Sequence, residues 1–130
     1  MAKYLKDKGL DVATCITLEF PCMYDIKGVE NGEFIFDDSE YAVPLLNVYT
    51  DSSYPYLDEW QQYRNNAIFL ECENCVNIYY PGIGHMDISD LSVKSPLLAA
   101  VLGGVVSKTD AVTNLTLLNK DCMEFLLSLE

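Results

Sequence analysis

The chain has 130 residues, half of them apolar, and its 20 acidic and eight basic side chains give a formal charge of −12. This composition is typical of a globular protein and excludes a disordered one, and the length suits a single domain, residues 1–130, with one core. Because so negative a field repels phosphate groups, the charge argues against nucleic acids and anionic lipid surfaces as partners.

Two stretches bear on localisation. Met1–Lys8 alternates charged with apolar residues and lacks the apolar core of a secretion signal. The longest apolar run, Leu97–Val106, is too short to span a bilayer.

The five cysteines are irregularly spaced, which fits reduced thiols better than a disulfide framework. We therefore expect a cytoplasmic protein without a membrane span.

The first third of the chain predicts a helix, a buried strand and a hairpin. Ala2–Lys8 has helical character and is followed by Gly9, a common helix terminator. Within Leu10–Leu18, the run Val12–Leu18 is almost unbroken in apolar and β-branched residues, which indicates a strand buried on both faces. Residues 22–41 form an acidic and aromatic excursion, and Asn31-Gly32 predicts a hairpin turn within it.

The middle of the chain predicts two more strands with a helix between them. Val43–Tyr49 is a second buried strand, and it is followed directly by Thr50 and Asp51. Leu57–Asn66 has the pattern of a helix, which we expect the two asparagines at its end to stop. Cys75–Tyr80 is rich in β-branched and aromatic residues and predicts a third strand, closed by a Pro-Gly turn.

The last third predicts helices. Asp87 is placed to cap a short helix, and Ser95-Pro96 has the pattern of a helix start, with Gly103-Gly104 as its stop. The closing helix shows an apolar face at helical spacing: Val112, Leu115, Leu118, Cys122, Phe125, Leu126 and Leu129. Strands separated by crossover connections predict an α/β fold with a parallel three-stranded sheet flanked by helices.

Asp51 and His85 form the main candidate site. Each follows a predicted strand directly or within a short loop, and the ends of neighbouring parallel strands lie only about 4.8 Å apart. His85 is the only histidine, and a carboxylate that holds one ring nitrogen leaves the other free to act as a base. The simpler alternative is that Asp51 is a turn residue and His85 a surface residue.

Cys72 and Cys75 form a C-x-x-C motif that zinc sites and redox dithiols also use. There is no second C-x-x-C, and a redox motif usually begins a helix, whereas this one precedes a strand. The pattern therefore favours two free thiols in a loop over a zinc or redox centre.

Two other clusters favour structural roles. Asp37–Glu40 lacks the alternating oxygen ligands and the glycine of a calcium loop, so a solvated acidic loop is favoured. Trp60 with Tyr56 and Tyr63 fits a packing face better than a ligand platform. There is neither a glycine-rich phosphate loop nor a dinucleotide fingerprint, and we expect no cofactor and no bound metal.

Three segments together resemble the carboxyl-terminal portion of an α/β-hydrolase, similar to bacterial lipases and esterases and to platelet-activating-factor-acetylhydrolase-like members. They are Val43–Ser53, Gly82–Ser92 and Ser95-Pro96. The resemblance implies a partial α/β-hydrolase fold in which the three strands are the sixth to eighth of the family. It also implies that His85 is the catalytic base and Asp51 the acid, with Ser53 and Asp58 as alternative alignments for the acid.

The chain departs from that family in one large respect, because it contains no G-x-S-x-G nucleophile motif. The resemblance therefore implies the acid and base half of an intracellular serine hydrolase, inactive alone and acting on a small-molecule ester when complemented. An amino-terminal half or a second copy would pair with the Leu10–Leu18 edge strand. The alternative is a non-catalytic, degenerate module used for binding or association.

Overall fold

The computed structural model describes residues 2–20, 26–36, 41–103, 107 and 109–130, apart from the side chains of Lys3, Asn65 and Ile68. The helices are α1 Ala2–Asp7, α2 Arg64–Phe69, α3 Asp90–Lys94, α4 Pro96–Gly103 and α5 Ala111–Leu127. The strands are β1 Cys15–Leu18, β2 Ile26–Glu30, β3 Glu33–Phe36, β4 Leu45–Thr50 and β5 Cys75–Tyr80. Among these described helices, none is both long and apolar enough to cross a membrane.

The main sheet has three parallel strands in the order β1-β4-β5, flanked by helices, as the sequence predicted. The central strand β4 is buried at every position, which explains why its sequence is almost continuously apolar. Pro44 precedes this strand, and its carbonyl accepts hydrogen bonds from the Cys15 backbone N–H at 3.0 Å and from the Thr14 hydroxyl at 2.7 Å. A proline at this position removes no N–H from the ladder of β4 itself.

The chain divides into two compact units, residues 1–47 with 56–77 and residues 48–55 with 78–130. The first unit has a core around Leu45 and Phe69, against which Cys15, Tyr41, Cys72 and Cys75 pack. The rings of Tyr41 and Phe69 meet edge to face, with centroids 5.4 Å apart.

A chain of side-chain hydrogen bonds crosses the strands within the first unit. The Thr17 hydroxyl of β1 donates to Asn47 Oδ1 of β4 at 2.7 Å, and Asn47 Nδ2 donates to Asn77 Oδ1 of β5 at 3.0 Å. Asn77 Nδ2 in turn donates to the carbonyl of Phe69 at 3.1 Å. Because Asn47 is fully buried, its hydrogen bonds compensate for the loss of water and fix the strand register.

The predicted hairpin is present, with β2 and β3 paired antiparallel. Its turn residues Asn31 and Gly32 both have positive φ angles, of 52° and 85°, which asparagine and glycine tolerate best. The acidic segment Asp37–Glu40 that follows lies outside the described residues.

The first strand is shorter than predicted. β1 covers four residues at the end of the Leu10–Leu18 stretch, and Leu10 itself is 55% exposed. The strand ends before Glu19, whose φ of 53° cannot continue an extended chain. Among the strands of the described residues, β1 has β4 on one side only, so it lies at the edge of the sheet as expected.

The helix predicted at Leu57–Asn66 is displaced toward the carboxyl terminus. Two 3-10 turns, Tyr54–Tyr56 and Gln61–Tyr63, precede α2. Asn66, which was expected to end the helix, lies inside α2 and donates from its side-chain amide to the Phe20 carbonyl at 3.2 Å. A long-range hydrogen bond thus stabilises asparagine within a helix, against its local preference.

Trp60 interrupts the predicted helix with an extended backbone, φ −98° and ψ 124°. Its ring stacks on Tyr56 at 4.6 Å between centroids and lies 5.9 Å from Tyr63. The three rings therefore pack on one another, but at the surface, because Trp60 is 43% exposed.

The helices of the second unit follow the predicted order. α4 begins at Pro96 as expected and ends at Gly103, whereas Gly104 lies outside the described residues. Asp87, which was expected to cap a short helix, lies within the 3-10 turn His85–Ile88, and α3 begins three residues later.

The closing helix α5 is present, but its buried face differs from the predicted one. Leu118 and Phe125 are buried as expected, whereas Val112 is 61% exposed. Asn114 and Asp121 are on the inner face instead. Asn114 Nδ2 donates to the Ser107 hydroxyl at 3.1 Å, and the Asp121 carboxylate accepts a hydrogen bond from the Tyr80 hydroxyl.

Candidate functional site

Asp51 and His85 lie on two loops of the second unit that are hydrogen-bonded to each other. Asp51 follows β4 directly, and its backbone N–H donates to the Ile83 carbonyl at 3.0 Å. His85 begins the turn after β5, and its backbone N–H donates to the Ser52 hydroxyl at 3.0 Å. The expected meeting of these two loops is therefore present.

The Asp51 carboxylate contacts β5 and the turn behind it. Oδ1 accepts the Tyr79 hydroxyl at 2.5 Å, and Oδ2 accepts the Gly82 backbone N–H at 2.9 Å. Gly82 has a φ of 76°, a conformation that side-chain-bearing residues rarely adopt, so glycine suits this tight turn. These two bonds fix the orientation of the carboxylate on the histidine loop.

Tyr79 connects the carboxylate to an aromatic cluster. Its ring stacks on Tyr54 with centroids 4.2 Å apart and an interplanar angle of 14°, and Tyr54 lies 5.9 Å from Tyr49. The hydrogen bond to Asp51 raises the pKa of Tyr79 above its ordinary value, because an ionised phenol beside the carboxylate would lose that bond and be repelled.

The histidine loop is anchored on both sides of an accessible side chain. Ile83 and Gly84 are buried, whereas His85 is exposed. The Gly84 N–H donates to Asp87 Oδ2 at 2.8 Å, and the Asp87 N–H donates back to the Gly84 carbonyl at 3.0 Å. This reciprocal pair fixes the turn that carries the imidazole while leaving the residue accessible to a ligand.

The described side-chain contacts of Asp51 are with Tyr79 and Gly82, and neither involves the His85 imidazole. An ionised carboxylate has about four lone-pair positions, and the Tyr79 and Gly82 bonds occupy two of them. The structure brings together the loops of Asp51 and His85. The Asp51 carboxylate accepts hydrogen bonds from Tyr79 and Gly82, and the His85 backbone N–H donates to the Ser52 hydroxyl.

The two alternative acid positions have different environments. Ser53 is 1% exposed in the same loop, and its backbone N–H donates to the Thr50 carbonyl at 3.1 Å. Asp58 is exposed and belongs to the other compact unit, next to Tyr56 and Trp60. The Asp51 carboxylate contacts the histidine loop directly, through the Gly82 backbone N–H.

Cys72 and Cys75 lie in the first unit and are both half-buried thiols. They share one polar contact, because both sulfurs lie within hydrogen-bond distance of Asn74 Oδ1. Among the residues that the structure describes, no group of three or more His, Cys, Asp or Glu side chains has the arrangement of a metal site.

The second unit also contains a cavity of about 310 Å³ that the sequence analysis did not predict. Asp87 and Asp110 supply its charged lining, and Ser92 and Ser107 supply hydroxyls. Both carboxylates have backbone partners, Asp87 at Gly84 and Asp110 at the amino terminus of α5, where it accepts the Thr113 N–H at 3.0 Å. The sequence signal for Asp110 was its position as an acidic residue just before the closing helix.

Comparison with known protein families, characterised proteins and solved structures gives no family model, no protein and no structure that matches this chain.

Proposed function

We propose that this chain supplies the acid and the base of a serine hydrolase that acts on carboxylic esters, and that the nucleophilic serine comes from another polypeptide segment. The observation that carries the proposal is the hydrogen-bonded contact between the Asp51–Ser52 and Ile83–His85 segments. In the same proposal β1, β4 and β5 are the sixth, seventh and eighth strands of an α/β-hydrolase fold.

The proposed roles follow the general logic of a catalytic triad. His85 would remove the proton from the attacking serine hydroxyl and return it to the departing alkoxide. Asp51 would accept the other ring N–H, fix the tautomer and stabilise the imidazolium that forms. The bonds from Tyr79 and Gly82 support this role, because they hold the carboxylate in one orientation before a substrate arrives.

The chain alone is expected to lack esterase turnover. Without the serine no acyl-enzyme forms, and the backbone donors of an oxyanion hole usually supply the largest electrostatic stabilisation of the transition state. Purified protein should therefore hydrolyse p-nitrophenyl acetate at the background rate, and His85→Ala should not change that rate. A histidine-dependent rate like that of ordinary esterases would contradict the division of the triad.

The proposed partner joins the sheet at β1. In the described part of the chain this strand lies at the edge of the sheet, and an edge strand presents unpaired backbone groups to an incoming strand. The incoming strand would belong to a nucleophile-bearing amino-terminal half or to a second copy of this chain. A small-molecule ester is the proposed substrate of the complemented site.

The decisive experiment asks whether a nucleophilic serine depends on His85. The tagged chain is purified under native conditions from the cells that produce it and treated with a fluorophosphonate, which reacts with activated serines. A labelled serine on a co-purifying polypeptide is expected, and His85→Ala should abolish the label without reducing co-purification. A label of equal intensity in His85→Ala would overturn the proposal, as would normal co-purification without any label.

A second candidate function is a non-catalytic binding or association module. The observation that favours it is that both Asp51 oxygens already serve a loop-fixing role, through Tyr79 and Gly82. The single histidine separates the two candidates, because its reaction with diethyl pyrocarbonate can be followed without interference from other imidazoles. The catalytic role predicts a several-fold slower reaction in Asp51→Asn than in Tyr79→Phe, and the module predicts equal rates.

A further inference from the structure

Cys72 and Cys75 are the two ends of one tight turn before β5. The Cys75 backbone N–H donates to the Cys72 carbonyl at 3.1 Å, which closes a four-residue turn. Such a turn brings its first and last α carbons to within about 7 Å of each other. Disulfides join α carbons that are about 4.4–6.8 Å apart, so the backbone of this turn has a span that a disulfide can bridge.

The two thiols also point to the same place. Cys72 Sγ lies 2.7 Å and Cys75 Sγ 3.5 Å from a single atom, Asn74 Oδ1. Asn74 is itself fixed, because its Nδ2 donates to the Tyr41 carbonyl at 2.9 Å and its own carbonyl accepts the Leu45 N–H at 3.0 Å. The shared acceptor therefore holds both sulfurs on one side of a turn whose backbone is anchored.

We propose that Cys72 and Cys75 form a reversible disulfide within this turn when the chain meets an oxidised small-molecule disulfide such as glutathione disulfide. In the first step one protein thiolate attacks a glutathione sulfur, breaks its S–S bond and releases one glutathione thiolate. In the second step the other protein thiolate attacks the protein sulfur of the mixed disulfide and releases the second glutathione. Two protein thiols are oxidised, one small disulfide is reduced, and the two protons end on the glutathione molecules.

Other cysteines of the described chain are less suited to this reaction. Cys15 packs against the same core, but its sulfur lies 3.9 Å from the Tyr41 hydroxyl rather than at the Asn74 acceptor. Cys122 is on α5 in the other unit, and burial raises the pKa of its thiol, which lowers the fraction of reactive thiolate. The pair is thus selected by geometry, and it is independent of the proposed hydrolase role.

Oxidation would change the contacts of a turn that lies between α2 and β5 and is hydrogen-bonded to the start of β4. Both thiol donors to Asn74 Oδ1 disappear when the sulfurs bond to each other, while Asn74 still links the starts of β4 and β5 through Leu45. The turn would then be held covalently instead of by the shared amide oxygen.

The test equilibrates the full reduced chain with mixtures of reduced and oxidised glutathione. Intact mass should fall by two hydrogen atoms, reactive thiols should fall from five to three, and peptide mapping should show a Cys72–Cys75 bond. Cys72→Ser and Cys75→Ser should each retain a glutathione adduct instead, because no second thiol resolves it. Cys122→Ser is the matched control and should still lose two thiols.

Two results would overturn the proposal. One is a chain that keeps all five thiols after equilibration with excess glutathione disulfide while the circular dichroism spectrum shows it folded. The other is a disulfide that joins Cys72 or Cys75 to a different cysteine. If either serine variant unfolds, the mass and mapping of the unsubstituted chain still decide between these outcomes.

Discussion

The side-chain amide of Asn47 donates to the side-chain oxygen of Asn77 at 3.0 Å; both residues belong to the first unit and lie on neighbouring strands. Asn47 also accepts a hydrogen bond from the Thr17 hydroxyl, so one buried amide is hydrogen-bonded to a side chain on each of the two strands that flank β4. Polar groups of this kind allow one strand register, because any slip would leave a buried donor or acceptor without a partner.

Replacement of Asn47 by leucine should therefore destabilise the fold although it adds apolar volume. The Thr17 hydroxyl and the Asn77 oxygen would each lose a buried partner, and we expect the free energy of unfolding to fall by about 2–4 kcal/mol. Urea denaturation measures the change. The matched control is Asn119→Leu on the exposed side of α5, which should change it by less than about 0.5 kcal/mol. Equal effects of the two substitutions would contradict a stabilising role for the hydrogen bonds of Asn47.

The Asp51 carboxylate should control local opening of the histidine loop. Asp51→Ala removes the acceptor of the Gly82 N–H, so exchange of that amide with solvent should accelerate about tenfold or more, as a loss of about 1–2 kcal/mol implies. Hydrogen exchange followed by NMR gives the rate. Tyr79→Phe is the control, because it leaves the Gly82 bond intact and should change this amide much less. An unchanged exchange rate of the Gly82 amide in Asp51→Ala would contradict this role of the carboxylate.

Stability should fall at alkaline pH in part through Tyr80. Burial, together with the hydrogen bond to Asp121, raises the pKa of Tyr80 well above the ordinary tyrosine value of about 10. Above about pH 10 the Tyr80 hydroxyl loses its proton in the unfolded chain but keeps it in the folded chain. The contribution of Tyr80 is therefore fully present below pH 10 and is lost as pH rises toward the folded pKa.

Comparison of the unsubstituted chain with Tyr80→Phe isolates this contribution. Between about pH 8 and 10 the difference in unfolding free energy should be constant, and at higher pH it should shrink because phenylalanine does not ionise. Guanidinium denaturation at several pH values measures it. A difference that stays constant to the highest pH would show that Tyr80 titrates alike in the folded and unfolded chains.

Association at the open edge of β1 is the fourth prediction. Leu18 at the end of this strand is 41% exposed, and a charge at an edge strand opposes pairing with another chain. Leu18→Lys should shift the chain toward monomer in sedimentation velocity experiments at high concentration. Leu97→Lys is the control, because Leu97 is 79% exposed and lies on the helix α4. A monomeric unsubstituted chain would contradict self-association at this edge.

Local sequence patterns determined the strands and the order of the elements. The apolar run after Pro44 predicted the fully buried β4, and Asn31-Gly32 predicted the hairpin, because each signal depends on neighbouring residues alone. The same patterns placed Asp51 and His85 at the ends of successive strands. Their catalytic pairing stays a prediction, but their adjacent loops follow directly from a parallel sheet.

Tertiary structure decided which polar side chains are inside. Hydrophobic spacing in α5 predicted a face with Val112, whereas the inner face contains Asn114 and Asp121, which have partners at Ser107 and Tyr80. Asn66 inside α2 and Asn47 inside β4 are further cases. Apolar periodicity reports only the free energy of removing apolar surface from water. A buried amide or carboxylate is stable when a distant residue supplies its hydrogen bond, and that partner is known only once the chain is folded.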